Sequence, residues 1–457
     1  MLYKNNNLLF FEGENFIMVR NVLLISPPFE RLMGYKRFYY PVGLVSLAAV
    51  LKEKGHNVKV YDMDHDSNKE SLTPEKLMNN YSEYKNAISD DNHYIWDELD
   101  NVIKTYNPDI IGISVFSSAL SISKKIIDFI KRKYPNIKVA VGGVHATLKP
   151  NDFVNDVHYI MTNEGESIIC DVVEDKYKEG IIKGNRITDL DDLPFPLIDS
   201  LHDLKTYTKN DLSLVLSSRG CPNACAFCNS PDLWQCKVTR KSPEYFYEEL
   251  KRLKEKFGIN DFYISDDTFT YNIKWLRKFL PLIKKLNVTF RCLSRIDIVD
   301  DELIEMLKDA GCRNIKFGIE SGSQRILDMI NKRITIEQIY AADEILKKHN
   351  MDWSAFFIIG FPNETVEDIK KTQEVMKKVS ASGKTVSIFT ALPNNRLLET
   401  KEMDDKTEGF HSMHNLTGVI PDDIFEELVK ETQLIAGTNY SEYNNLDNNT
   451  LIRKKKE

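Results

Sequence analysis

"LSLVLSSRGCPNACAFCNSPDLW", residues 212–234, opens as a short apolar run and carries three cysteines, Cys221, Cys225 and Cys228, directly behind it. The apolar run reads as a buried parallel strand, so the thiols stand at its carboxyl end. Three is an awkward number. A closed structural zinc site takes four ligands, and a disulfide framework takes an even count. Two chemistries remain. Thiolates at C-x3-C-x2-C can wrap three corners of a cubane 4Fe–4S cluster and leave the fourth iron open. Alternatively, zinc takes Cys236 as a fourth ligand, although zinc sites usually pair two short hooks and the second hook is missing here.

Working outward from this strand, the later apolar runs are "DFYISDD", "VTFRCLSR", "NIKFGIES", "WSAFFIIGFP" and "TVSIFTALP". Amphipathic helices are predicted between them at 242–257, 272–286, 301–310, 323–349 with a break, and 365–382. Six such units predict a partial (βα)6 barrel at residues 211–400, and barrels of this kind hold their active sites at the carboxyl ends of the strands. A small, partly helical extension with an Asn-rich tail follows at 401–457, closed by the basic "RKKKE", which reads as a solvated terminus.

The chain before the barrel also alternates. "VLLIS", "NVKVYDMD", "IIGISVFSS" and "KVAVGGVHAT" read as strands, with "LVSLAAVLKEKG" and "ISKKIIDFIKRKY" as helices. This predicts a doubly wound parallel (Rossmann-like) domain at 18–150, whose ligand sits beyond the carboxyl ends of its strands. Residues 151–210, with the Pro- and Asp-rich "DLDDLPFPLID", read as a connector. The fold class is therefore α/β: a doubly wound domain, a partial barrel and a short helical tail. Met18, just before the first strong strand, is a candidate start.

At Cys221, Cys225 and Cys228 the sequence resembles the radical S-adenosylmethionine (radical SAM) superfamily, with Phe227 as the aromatic before the last cysteine. The resemblance implies that the amino and carboxylate groups of S-adenosylmethionine chelate the open iron. Reduction then cleaves the sulfonium to methionine and a 5′-deoxyadenosyl radical. It further implies that Asp266 and Asp267 hold the methionine amine, that Arg295 neutralises its carboxylate, and that Glu320 and Ser321 reach the ribose or methionyl end. Gly360 would let backbone approach the adenine. The sixth strand end, "FTALPNNRLLE", departs from the family's Pro-Gly-Thr turn, which puts the substrate-side wall in doubt.

With the barrel so identified, the first domain resembles the cobalamin-binding domain of cobalamin-dependent radical SAM proteins, and the resemblance spans residues 18 to 400. It implies that Ser114, Val115, Ser117, Ser118, Gly142, Gly143 and His145 line the corrin. The loop after the first strand, Ser26 to Gly43, contains no histidine, so cobalt should lack a protein histidine beneath it; His56 and His65 do not match the expected spacing. The implied function is methylation of an unactivated carbon, or of phosphinate phosphorus, from methylcobalamin. The alternatives are a non-methylating relative such as an anaerobic oxidative ring cyclase, and a non-enzymatic cobalamin-binding module with a structural metal site. The substrate is expected to be a small molecule and the electron donor a flavodoxin or ferredoxin type protein.

Bulk properties restrict the remaining classes. Of 457 residues, 42% are hydrophobic and 28% charged, and the net charge is -7, so no overall field favours nucleic acid or an anionic membrane. No apolar run approaches the roughly 20 residues needed to span a bilayer. Seven mostly scattered cysteines fit a reducing, cytoplasmic setting.

Overall fold

The computed structural model describes residues 18–35, 39–68, 83–398 and 415–437. The chain forms two compact units that divide between Tyr207 and Thr208. The Asn-rich tail and the basic terminus lie outside the described residues.

The first unit is built on six parallel strands in the order β2-β1-β3-β4-β5-β6. They are β1 (Asn21–Ser26), β2 (Asn57–Asp62), β3 (Ile110–Ser114), β4 (Lys138–Gly142), β5 (Tyr159–Thr162) and β6 (Gly180–Lys183). Val22, Leu23, Leu24 and Ile25 of β1 are all buried, as a strand covered on both faces requires. The order reverses between β1 and β3, which opens a ligand crevice at their carboxyl ends.

Two features depart from the sequence expectation. The sheet runs past residue 150, so the stretch expected as a connector supplies β5 and β6. A helix that the sequence reading does not assign, Tyr94–Tyr106, also precedes β3. Ile95, Trp96, Leu99, Val102 and Ile103 form its buried stripe. Their i, i+4, i+7 and i+8 spacing is the amphipathic signal, masked in composition by the acidic residues between them.

The second unit contains a six-stranded parallel sheet in the order β14-β13-β12-β11-β10-β7, plus a two-stranded ladder of β8 and β9. The strands are β7 (Leu214–Val215), β8 (Ser218–Arg219), β9 (Thr239–Arg240), β10 (Asp261–Ile264), β11 (Thr289–Ser294), β12 (Cys312–Glu320), β13 (Trp353–Ile359) and β14 (Gly383–Ile388). The six strands of the parallel sheet keep their sequence order, and right-handed crossovers in such a sheet place every connecting helix on one face. That face carries Phe262, Phe290, Phe317 and Phe357, each at most 1% exposed, and burying each contributes about 2 kcal/mol.

The helices start and stop where the sequence signals them. Ser242 caps Pro243–Phe257 through the Tyr245 N–H, and Gly258 closes it in the left-handed conformation. Thr335 and Gln338 form a capping box for Ile336–Lys348, and Thr365 and Asp368 another for Val366–Lys378. Among the described residues, no helix is long and apolar enough to cross a membrane.

Candidate active site

The cysteines lie on a loop that leaves the carboxyl end of β7 and is closed at its base by antiparallel pairing of Ser218 with Arg240 and Arg219 with Thr239. Gly220 has φ +92, and a Cβ there would lie 2.2 Å from Lys237 O, so only glycine fits this crossing. Asp266, fully buried, ties the same base to β10. Its carboxylate accepts from Ser217 N at 2.7 Å, Ser218 N at 3.1 Å and Ser218 Oγ at 2.7 Å, and from the Ser217 hydroxyl.

The loop is stapled along its length. Ala226 N donates to Ile330 O at 2.8 Å, and Asn331 Nδ2 to Ala224 O at 2.7 Å. Asn229 Nδ2 reaches Pro393 O at 2.5 Å, which anchors the unusual sixth strand end. Donors also surround the sulfurs: Asn223 Nδ2 lies 3.4 Å from Cys221 Sγ, and Ser230 N lies 3.4 Å from Cys228 Sγ.

Burial pushes the Cys225 thiol up, opposed by the nearby cations Lys332 and Arg295. Burial likewise pushes Cys228 up to about 11, opposed by the Ser230 N–H. Such sulfurs ionise at neutral pH only beside a metal, and the N–H donors and cations around them suit thiolates. Among the described residues, no three His, Cys, Asp or Glu side chains converge as they would around one ion. Thiolates bound to separate irons of a cubane stand wider apart than ligands of a single zinc. Cys236 instead points its sulfur at Asn223 O, 3.7 Å away. The donors and cations around Cys221, Cys225 and Cys228 thus suit three thiolates holding a cluster.

The other strand ends bring some expected residues to the thiols and turn others away. Glu320 ends β12 with φ +68, a strained conformation for a side chain of this kind. Its Oε1 accepts from Lys332 Nζ at 2.7 Å, and both groups are buried. Arg295, Glu320 and Lys332 all act electrostatically on Cys225. Arg295 nevertheless spends two donors on Asp297, both at 2.9 Å, and one on Lys332 O. Asp267 is exposed and accepts from Ser230 Oγ at 2.7 Å. Phe227 meets Phe361 edge-on, with centroids 6.0 Å apart, in an apolar wall with Ile326, Ile330 and Phe389.

Three of the residues expected to contact ligand have close protein partners of their own. Asp266 has its oxygens filled by Ser217 and Ser218, so it is a latch. Ser321 is fully buried, with its hydroxyl 3.1 Å from Thr372 Oγ1. At Gly360 (φ +90) a Cβ would lie 2.8 Å from Phe425 Cζ, so this glycine admits the helix Asp422–Ala436. Sequence reasoning missed Lys332, Asn331 and Asn229. Each sits in a turn whose partner is remote in sequence, and nothing local marks it.

In the first unit, Val115 N donates to Gly142 O at 2.8 Å and His145 N to Val115 O at 3.0 Å, so the loops after β3 and β4 form one edge. Gly143 has φ +95, and a Cβ there would lie 2.9 Å from Val115 N, whereas Gly142 has ordinary space around it. Ser114, Ser117 and Ser118 are half-buried along this edge, and Phe116 projects from it. His145 holds both ring nitrogens in protein contacts: its Nδ1 lies 2.9 Å from Ser117 Oγ and its Nε2 2.9 Å from Asp152 Oδ2.

The loop after β1 is pinned by Asp64, which accepts from Phe29 N at 2.9 Å and Arg31 N at 2.7 Å. His56 lies at the opposite, amino end of β2, buried beside Glu174. His65 bonds Thr206 Oγ1 at 2.9 Å and stacks on Tyr207 with centroids 3.7 Å apart. Near it, at the end of β2, a polar cavity of about 440 Å³ is lined by Arg31, Asp66, Glu98 and His202 among others.

Residues 35–173 match the B12 binding domain family, and residues 215–376 match the Radical SAM superfamily. The chain is a cobalamin-binding radical SAM protein. Its cofactors are accordingly a 4Fe–4S cluster, S-adenosylmethionine and cobalamin, and it is an enzyme. The cobalamin-binding radical SAM protein is 29% identical over 410 residues, 83% of each chain, to an uncharacterized methyltransferase of Pyrococcus horikoshii. It is 26% identical, over 69% of this chain and 62% of the other, to an anaerobic magnesium-protoporphyrin IX monomethyl ester cyclase of Rubrivivax gelatinosus. Among solved structures, it shares its fold with the radical S-adenosylmethionine methyltransferase TsrM of Kitasatospora setae, with TM-score 0.62 and 17% identity over 80% of this chain and 73% of that one.

Proposed function

We propose that the protein is a cobalamin-dependent methyltransferase acting on an unactivated carbon, or on phosphinate phosphorus, of a small-molecule substrate. The observation that carries this reading is the loop of Cys221, Cys225 and Cys228 at the carboxyl end of β7, in a chain that also has a B12-binding domain. When bound, the cluster and S-adenosylmethionine supply a radical that removes hydrogen, and cobalamin supplies the methyl group.

The chain's own residues do the positioning. Cys221, Cys225 and Cys228 would hold three irons, with Asn223 and Ser230 donating to the sulfurs. Asp267, Glu320 and Arg295 would receive the amine, ribose and carboxylate of S-adenosylmethionine, and Lys332 fixes Glu320. Asp266, Ser321 and Gly360 act one step back by setting the loops. Phe227, Phe361 and Phe389 exclude water beside the cysteines. In the first unit, Ser114, Val115, Ser117, Ser118, Gly142 and Gly143 would line the corrin, and His145 braces their loops.

The methyltransferase relative is matched over 83% of both chains, against 69% and 62% for the cyclase, which favours methylation. The test is anaerobic incubation with methyl-labelled S-adenosylmethionine and a reductant in a metabolite extract. Methylation gives equal S-adenosylhomocysteine and 5′-deoxyadenosine, with label in a new product. Deoxyadenosine forming in step with an unlabelled, oxidised product supports the cyclase reading instead.

A further inference from the structure

The helix Ile273–Leu286, which follows β10, carries charge of one sign. Its sequence, IKWLRKFLPLIKKL, holds five cations and no carboxylate. Other helices of this unit answer their lysines internally, at i, i+4. Lys371 meets Glu367 in Val366–Lys378, Lys430 meets Glu426 in Asp422–Ala436, and Lys347 meets Asp343 in Ile336–Lys348. On Ile273–Leu286 the cations have only a neighbouring helix to turn to. Arg277 takes Glu302 and Lys284 takes Asp309, both on Asp301–Asp309. Lys274, Lys278 and Lys285 are exposed and form no ion pair among the described residues. At 3.6 residues per turn these three share a sector of about 40°, along roughly 16 Å of helix. Lys274 and Lys278 are a like-charge i, i+4 pair, which by itself weakens the helix. Tyr271, 54% exposed, stands at the head of the stripe.

From the start of this helix an aromatic chain leads to the cysteines. Trp275, next to Lys274 but buried, meets Phe269 edge-on with centroids 5.9 Å apart. Phe269 follows Thr268, whose Oγ1 lies 3.7 Å from Cys221 Sγ. The helix start is also tied to the base of the cysteine loop. Trp275 Nε1 donates to Lys241 O at 2.8 Å. Arg240 covers the Trp275 ring at 4.6 Å and comes within 3.7 Å of Asp266, which latches that base.

We infer that Tyr271, Lys274, Lys278 and Lys285 form the docking face for the electron donor, a small acidic protein that carries a one-electron reductant. Charge complementarity selects an acidic partner, and Tyr271 is the kind of exposed aromatic that interfaces favour. The aromatic chain selects a redox protein over other acidic partners, because it ends at a cluster ligand. The donor is oxidised by one electron and the cluster reduced by the same electron, with no bond formed to the chain. The inference rests on the reading that Cys221, Cys225 and Cys228 hold a reducible cluster.

Calorimetric titration of the anaerobically reconstituted holoenzyme with an acidic flavodoxin, at low and at physiological salt, tests this. The wild type should bind more weakly as salt rises. The triple variant Lys274→Gln, Lys278→Gln, Lys285→Gln, changed only at exposed positions, should bind about tenfold more weakly at low salt. Its affinity should also respond less to salt. Its 5′-deoxyadenosine formation should fall with flavodoxin as reductant and hold the wild-type rate with dithionite, which needs no docking face. No flavodoxin binding by the wild type, unchanged affinity in the variant, or equal loss of rate with both reductants overturns the inference. A face that served nucleic acid or membrane would instead lose binding to RNA or to phosphatidylserine vesicles in the variant, with flavodoxin affinity unchanged. Failure of the underlying reading shows separately, as a wild type that makes no 5′-deoxyadenosine with dithionite.

Discussion

Lys332 Nζ stands 2.7 Å from Glu320 Oε1, and the two charges fill the space left by Gly318, where a Cβ would lie 2.3 Å from that same oxygen. The pair links the end of β12 to the turn that staples the cysteine loop, so the strained Glu320 backbone and the cluster loop are held by one contact.

Breaking that pair leaves a buried charge unanswered. Lys332→Met is expected to cost about 3 kcal/mol in unfolding free energy. The double variant Glu320→Gln, Lys332→Met should cost less than the two single losses added together. A thermal or urea double-mutant cycle measures this, and strict additivity would show that the contact carries no energy.

Asp266 predicts a different signature. Replacing it by Ala orphans donors of Ser217 and Ser218 at the base of the loop, costing roughly 2–4 kcal/mol. The variant should also bind iron poorly, because the loop base is no longer tied to β10. Iron content after reconstitution reads this; full iron loading would show that Asp266 does not set the loop.

Gly360→Ala introduces a methyl 2.8 Å from Phe425 at φ +90, and the expected cost is about 1–3 kcal/mol. Adding Phe425→Ala should recover the steric part of it in a thermal melt. No recovery would mean that backbone strain alone makes the glycine necessary.

Much of this could be seen before any coordinates, and the remainder could not for physical reasons. Apolar period and capping residues are local signals, so the second-unit helices and the helix Asp422–Ala436 fall where periodicity predicts them. The cysteine spacing is local too. What escaped is long-range. The carboxylate of Asp266 points back to β8 and not toward a ligand, and Gly360 is explained by Phe425 on a helix 60 residues onward. β5 and β6 were hidden because strands of four residues among prolines and aspartates carry little periodic signal.

His145 titrates against the fold. Burial lowers its pKa, with Asp152 opposing, so below the ordinary value of about 6.5 the unfolded chain binds more protons than the folded one. Stability is lost as pH falls through that value. The drop in melting temperature between pH 7 and 5 should therefore be smaller in His145→Gln than in the wild type; an equal drop would refute the assignment. Electron paramagnetic resonance of the cob(II)alamin form should show no histidine nitrogen on cobalt. Splitting that disappears in His56→Ala, His65→Ala or His145→Ala would contradict this.

The central claim is that Cys221, Cys225 and Cys228, without Cys236, hold a cluster able to open S-adenosylmethionine. Its most direct test is 5′-deoxyadenosine formation under reductant by anaerobically reconstituted wild type, Cys225→Ala and Cys236→Ala, alongside metal analysis. The account predicts about four irons and product in the wild type and Cys236→Ala, with neither in Cys225→Ala. Stoichiometric zinc that is lost with Cys236, and no deoxyadenosine from any of the three, would contradict it.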